Sequence, residues 1–323
     1  MTIPRDPRRL LTRTLTARAC AAVCAAAVAG PATQRAVAQV PEVCPAGEQG
    51  CALAVLSGLD AWARAALVAG GGSPLPGSAS TLGKRTAASR HVAIATRVTV
   101  GEVLGVRGAT SQVAPSVDGT LVAVGVDAAV ALFDGFFAAP TVGGVFSIDA
   151  LASVGWIGGG GSLDVSDGMT WALGARLGVL RESFTLPGLT VSAAYRQIAR
   201  FEAASAGDGP GWQGDLDGLS VRLTAGKRLG SVDALVGAGW DRVGGPLSAS
   251  YTNLAGAPEV SAVADVDVGR WAGFAGVGWT FLVFQVAAEA GWQAGGDGFS
   301  DSGVDIEPSG GRAFGGISFR FTY

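Results

Sequence analysis

Histidine is nearly absent: His91 is the only one in 323 residues. Chemistry that needs an imidazole base, or zinc held by several histidines, has almost nothing to draw on. Charge is sparse, at 15% of residues, and nearly balanced, with 23 Lys and Arg against 26 Asp and Glu. No basic patch stands out, so a nucleic-acid partner is not expected. Of four cysteines, only Cys44 and Cys51 lie beyond residue 38. Without a nearby His they make an incomplete zinc site, and no metal is expected. In an oxidising compartment they are expected to close a small disulfide loop. Long uncharged apolar runs are also missing. The nearest to a helical span, residues 136–161, is interrupted by Asp149 and ends in four glycines. At 49% hydrophobic the chain is still too apolar for disorder.

The start of the chain has its own layout. Arg5, Arg8, Arg9, Arg13 and Arg18 precede an Ala-rich stretch from Ala19 to Gly30, and Ala36-Val37-Ala38 follows. Basic residues, then apolar, then small residues at −3 and −1 form an export signal, with cleavage expected after Ala38. The apolar part is too short to span a bilayer as a helix. Three regions are therefore expected: a signal over 1–38, a periplasmic or plug segment over 39–88, and a barrel over 89–323. In the second region, Leu53 to Ala69 reads as a helix with Leu56, Leu59, Trp62 and Ala66 on one stripe. Asp60 and Arg64 sit at i,i+4. The glycines and prolines of 70–76 end the helix.

From Val92 onward the apolar residues alternate with period 2 in ten segments. Val92, Ile94, Val98 and Val100 oppose Ala93, Ala95, Arg97 and Thr99; Ile317, Phe319, Phe321 and Tyr323 oppose Gly316, Ser318, Arg320 and Thr322. In a soluble protein the apolar face would be the core; in a membrane barrel it meets lipid and the other face lines the lumen. Two features favour the barrel. Links alternate long (101–118, 157–168, 202–215, 243–267, 293–309) and short (134–143, 181–186, 228–231, 282), as outer loops and periplasmic turns do. Under that topology Trp156, Trp171, Trp240, Trp271 and Trp292 form an outer aromatic girdle. Phe133, Phe136, Phe137, Phe146, Trp279, Phe281, Phe284 and Tyr323 gather at the inner ends. The expected fold is all-β: a closed antiparallel transmembrane β-barrel of about ten strands, or twelve if 246–252 and 259–266 form another hairpin. Its lumen-lining charges are Arg97, Asp127, Asp149, Arg176, Arg196, Arg222, Glu289 and Arg320.

The closing residues Phe319, Phe321 and Tyr323, alternating to an aromatic end, resemble the bacterial outer-membrane β-barrel superfamily, although Ser318 stands where that superfamily usually has glycine. The stretch Gly70 to Gly83 is loosely similar to the N-terminal region of fatty-acid-transporter-type barrels. The first resemblance implies an outer-membrane location, lipid as surroundings, and reading of Phe319, Phe321 and Tyr323 by the barrel-assembly machinery. The function expected is a channel or transporter for small solutes, apolar ones included. The alternative is a structural or surface-binding barrel with no through-path. Continuous lumen space would favour the first, and a tightly paired charge network the second. Catalytic residues and cofactors are not expected, because His91 falls at the periplasmic start of the first strand and no carboxylate pair stands out.

Overall fold

The computed structural model describes residues 44, 49–82, 91–104, 118–136, 145–183, 186–205, 210–251, 260–295, 299–301, 304–306 and 310–323. The expected export signal and Phe137 lie outside them. Among the described residues one helix, α1 (Gln49–Gly70), precedes the strands. These are β1 (Val92–Leu104), β2 (Asp118–Phe133), β3 (Ser147–Gly161), β4 (Leu163–Leu180), β5 (Gly188–Ser205) and β6 (Gly211–Leu229). They continue with β7 (Val232–Tyr251), β8 (Val260–Phe281), β9 (Phe284–Gln293), β10 (Phe299–Asp301), β11 (Val304–Ile306) and β12 (Arg312–Thr322). Strands β10 and β11 pair only with each other; the other ten close into an antiparallel barrel, with β1 joined to β12. Closure leaves no unpaired edge, which a sheet in hydrocarbon cannot tolerate. Pro246–Tyr251 and Val260–Val266 belong to β7 and β8, so the count is ten and not twelve.

Three of the five long links are corrected in the same way. Within 157–168, 202–215 and 243–267 the described residues are chiefly strand, with Ser162 at the turn between β3 and β4. The hairpins β3–β4, β5–β6 and β7–β8 therefore project beyond the rest of the wall at one end of the barrel. At the other end lie the tight turns Gly230-Ser231 and Leu282-Val283, together with Tyr323.

The projecting parts invert the side-chain pattern. Lower on β7, Val232, Val236 and Trp240 face out while Asp233 and Asp241 face in; higher up, Val243, Leu247, Ala249 and Tyr251 face in while Arg242 is exposed. On β6, Leu219 and Leu223 face out and Arg222 in, whereas higher up Trp212 and Leu216 face in and Asp215 and Asp217 out. The physical cause is a change of surroundings along one strand. Against lipid the apolar face turns outward, and against water it turns inward to make an ordinary core. A bulge on β5, with Arg200 at φ 50°, resets the phase so that both Ile198 and Phe201 are buried inside.

Helix α1 lies within that core, in the projecting half of the barrel. The expected apolar stripe is only part of its buried surface: the whole circumference is buried, Ser57, Asp60 and Arg64 included. It is long and apolar enough to cross a bilayer alone, but what it meets is barrel wall. Two tryptophan–glycine contacts lock it there. A Cβ at Gly58 would lie 2.5 Å from Trp212 Cδ1, and one at Gly214 would lie 2.7 Å from Trp62 Cζ2. Each indole thus fills the space that the other element's glycine vacates. Trp212 Nε1 also donates to Ala54 O at 2.7 Å.

The lipid-facing band gives a direct test. Val236 is 59% exposed on β7, between Ala225 and Ala275 in register and midway from Val232 to Trp240. Val236→Arg is expected to destabilise the barrel in bilayers by about 2–4 kcal/mol, the cost of Arg at the lipid midplane. Urea unfolding in liposomes checks it. An unchanged midpoint would place Val236 outside the hydrocarbon.

Candidate functional site

All eight lumen-lining charges expected from the alternation are buried on the inner face of the wall. Most of them find a partner on a neighbouring strand. Arg97 Nη2 lies 3.0 Å from Asp127 Oδ1, and Arg176 Nη2 lies 2.7 Å from Asp149 Oδ2. Arg222 Nη2 meets Asp241 Oδ1 at 2.8 Å, and Arg196 Nη1 donates to Thr170 Oγ1 at 3.2 Å. Asp241 and Gln293 were not among the expected residues, while Asp233 and Gln285 were set on the inward face by the alternation without being counted among the lumen charges. The signal for all four was available, since each falls on the inward parity of its strand. Asp233 accepts from Arg228 Nε at 2.9 Å, Thr280 Oγ1 at 3.0 Å and Gln285 Nε2 at 2.7 Å.

The wall groups have a second task. After α1, residues 71–82 run through the turn-end half of the lumen without regular structure. Backbone carbonyls buried in that way must find donors, and the wall supplies them. Arg97 donates to Ser73 O at 3.0 Å, Arg222 to Gly72 O at 3.1 Å, and Arg176 to Ser78 O at 3.4 Å. Gln285 donates to Gly77 O at 2.8 Å and Arg320 to Pro76 O at 3.2 Å. Glu289 accepts from Ser73 N at 3.0 Å, and Asp149 from Leu82 N at 3.0 Å. Mid-lumen, the C-terminal end of α1 meets Arg97 at Ala69 O (3.4 Å) and Arg222 at Gly71 O (3.5 Å). Cations there complement the negative end of the helix dipole. Glycine is required where the chain turns below the helix: Gly71 has φ 68°, and a Cβ on it would stand 2.6 Å from Arg97 Nη1.

Little room is left. A cavity bordered by Gly70, Arg97, Asp127 and Arg196 holds about 30 Å³, space for about one or two waters. Another, beside Glu289, Thr99 and Phe314, holds about 10 Å³.

The remaining expected residues lie as follows. Cys44 and Cys51 are buried and joined by a disulfide, with Cα atoms 5.7 Å apart. Trp156, Trp271 and Trp292 are exposed on the outer surface, Trp171 and Trp240 half-buried there, and Trp240 faces Trp271 across β7 and β8. Phe319, Phe321 and Tyr323 point outward at the turn end, where Phe284 packs 5.4 Å from both Phe319 and Phe321. His91 directly precedes β1 at that end, away from the projecting hairpins. No cluster suited to a metal ion occurs among the described residues.

No protein-family model matches the chain, and no curated protein matches it. Solved structures do resemble it in fold. The outer-membrane protease OmpT of Escherichia coli is 12% identical, with a TM-score of 0.37, over 76% of this chain and 100% of that one. The translocator domain of the autotransporter NalP from Neisseria meningitidis is 13% identical, with a TM-score of 0.39, over 73% and 90%. The transport unit of the Escherichia coli autotransporter AIDA-I is 10% identical, with a TM-score of 0.34, over 83% and 99%. These likenesses are of fold, and none carries an activity across. The closed barrel and its encircling apolar band make this chain an outer-membrane-type β-barrel, one whose lumen is filled by its own chain.

Proposed function

We propose that the protein is a sealed outer-membrane barrel that acts through its projecting hairpins at the cell surface and does not pass solute in this state. One observation carries the reading. Residues 49–82 occupy the lumen, and wall side chains that are themselves ion-paired or hydrogen-bonded hold the backbone of 69–78. A tightly paired charge network is what a structural barrel needs, and a permeation path needs the opposite. The projecting hairpins carry water-facing charges such as Glu202, Asp215, Arg242 and Asp265 over a packed core. They form a rigid surface where a partner would dock.

A gated conduit is the second reading, and one feature favours it. Residues 71–82 are held by side chains rather than by strand pairing, so they can leave without opening the barrel's ladder. Single-channel recording in planar bilayers separates the two. Protein beginning at residue 39 is expected to be silent, while a form lacking residues 44–82 conducts, provided heat-modifiable gel mobility shows both to be folded. Steady conductance from the longer form would overturn the sealed reading; voltage-driven steps from it would favour the gated one.

A further inference from the structure

The seal does not account for one buried cation. Arg64 on α1 is 1% exposed, and Asp60 Oδ2 is 3.8 Å from its Nε. None of its three guanidinium nitrogens makes a hydrogen bond. Native proteins rarely leave buried donors unmet, and a guanidinium out of water needs a counter-charge with good geometry.

Its surroundings are themselves cationic. Arg270 and Arg312 both act on the Arg64 charge. Strand register gathers the three. Gln293 lies opposite both Arg312 and Ala272, and its Nε2 donates to Ala63 O, the residue before Arg64, at 3.2 Å. Arg270 stands two residues before Ala272 on the same face, with Nη2 3.9 Å from Asp60 Oδ1. Among the described residues, Arg64 and Arg270 both approach the Asp60 carboxylate, and Arg312 adds to the positive charge around Arg64. The other acid acting on Arg64, Glu102, is exposed on the far side of β1.

The cluster also has a direction. Gly310 is exposed, Arg312 half-buried, the Arg270 side chain 11% exposed and that of Arg64 2%. The cations descend from the rim into the core beside β9 and β12, which at 10 and 11 residues are the shortest barrel strands and leave the wall lowest there. Gln293 adds an acceptor, its buried Oε1, that also lacks a partner.

We propose that Arg64, Arg270, Arg312 and Gln293 form a binding site for a small oxyanion that also carries a hydroxyl, as hydrogen phosphate does. Guanidinium forks match such an anion's oxygens in pairs, and its hydroxyl satisfies Gln293 Oε1. Sulfate has the charge and shape without the hydroxyl, so it binds more weakly. The phosphate could be free or part of a lipid headgroup; the enclosed position selects the free ion.

The test is thermal unfolding in lipid-free detergent, read by heat-modifiable gel mobility, in phosphate, sulfate and chloride at matched ionic strength. Phosphate at a hundredfold excess over its Kd is expected to raise the midpoint by about 5–10 °C, sulfate by less, and chloride not at all. Arg64→Leu removes a buried guanidinium that makes no hydrogen bond and leaves Asp60 beside Arg270, so it should fold and lose the phosphate response; Arg312→Gln should weaken the response while leaving the fold intact. Equal midpoints in phosphate and chloride would overturn the proposal, as would an undiminished phosphate response in Arg64→Leu. A rise seen only after phospholipid is added would overturn the free-ion assignment in favour of a headgroup.

Discussion

Asp149→Ala is expected to lower the unfolding free energy by about 3–5 kcal/mol, because it strands a buried guanidinium. Asp149 is fully buried and takes Arg176 Nη2 at 2.7 Å, Arg176 Nε at 3.1 Å and Leu82 N at 3.0 Å. It therefore joins β3, β4 and the luminal segment at one atom. Without it, Arg176 keeps only the longer bond to Ser78 O at 3.4 Å. Urea unfolding in detergent micelles checks this, with the midpoint falling and the slope unchanged. Two controls sharpen it. Asp267→Ala removes a surface partner of Arg242, whose side chain is 53% exposed, and should leave the midpoint where it was. Replacing Asp149 and Arg176 together by Leu and Met should recover most of the loss, because the cost lies in the unpaired charge. A midpoint for Asp149→Ala equal to that of the unaltered protein would remove the luminal network from any account of stability.

Trp62→Ala should cost about 3–5 kcal/mol as a large-to-small change in a packed core. Its functional effect should be larger than that of any lipid-facing aromatic. Trp62 is wholly buried against Gly214, and its loss opens a void between α1 and the projecting wall. Bursts of single-channel conductance are expected where the unaltered protein is silent. Trp156→Ala, on the outer face at 60% exposure, should leave the recording silent. If Trp62→Ala were stable and silent, α1 would not be a sealing element.

The transmembrane part of the barrel could be read directly from the chain. Period-2 alternation specified which face of each strand meets lipid, and Arg97, Asp127, Asp149, Arg176, Arg196, Arg222, Glu289 and Arg320 all lie inside for that reason. A one-residue slip would have put each of them in hydrocarbon, so the register was strongly specified. The helix was legible from its small and apolar residues, and the cysteine pair from its spacing and compartment. Of the projecting hairpins, only 246–252 and 259–266 were legible as extended chain, and those as an extra hairpin instead of the ends of β7 and β8. Their polar outward residues, such as Glu202, Asp215 and Asp265, look like loop composition, and their apolar inward residues follow the opposite rule from the segments below.

Local pattern by itself determined that this is a closed barrel, how many strands it has once the hairpin ends are assigned, and which side chains enter its lumen. It could not determine what those side chains do there. Arg222 finds Asp241 one strand away and Gly72 O some 150 residues away, and Trp212 reaches Ala54 O across 158 residues. Such pairings depend on where α1 comes to rest. A helix apolar all round can lie in a membrane, at an interface or in any core with room for it. The tertiary structure decided among these, because only the closed wall offers the glycine hollows at Gly58 and Gly214 and the donors that buried carbonyls need.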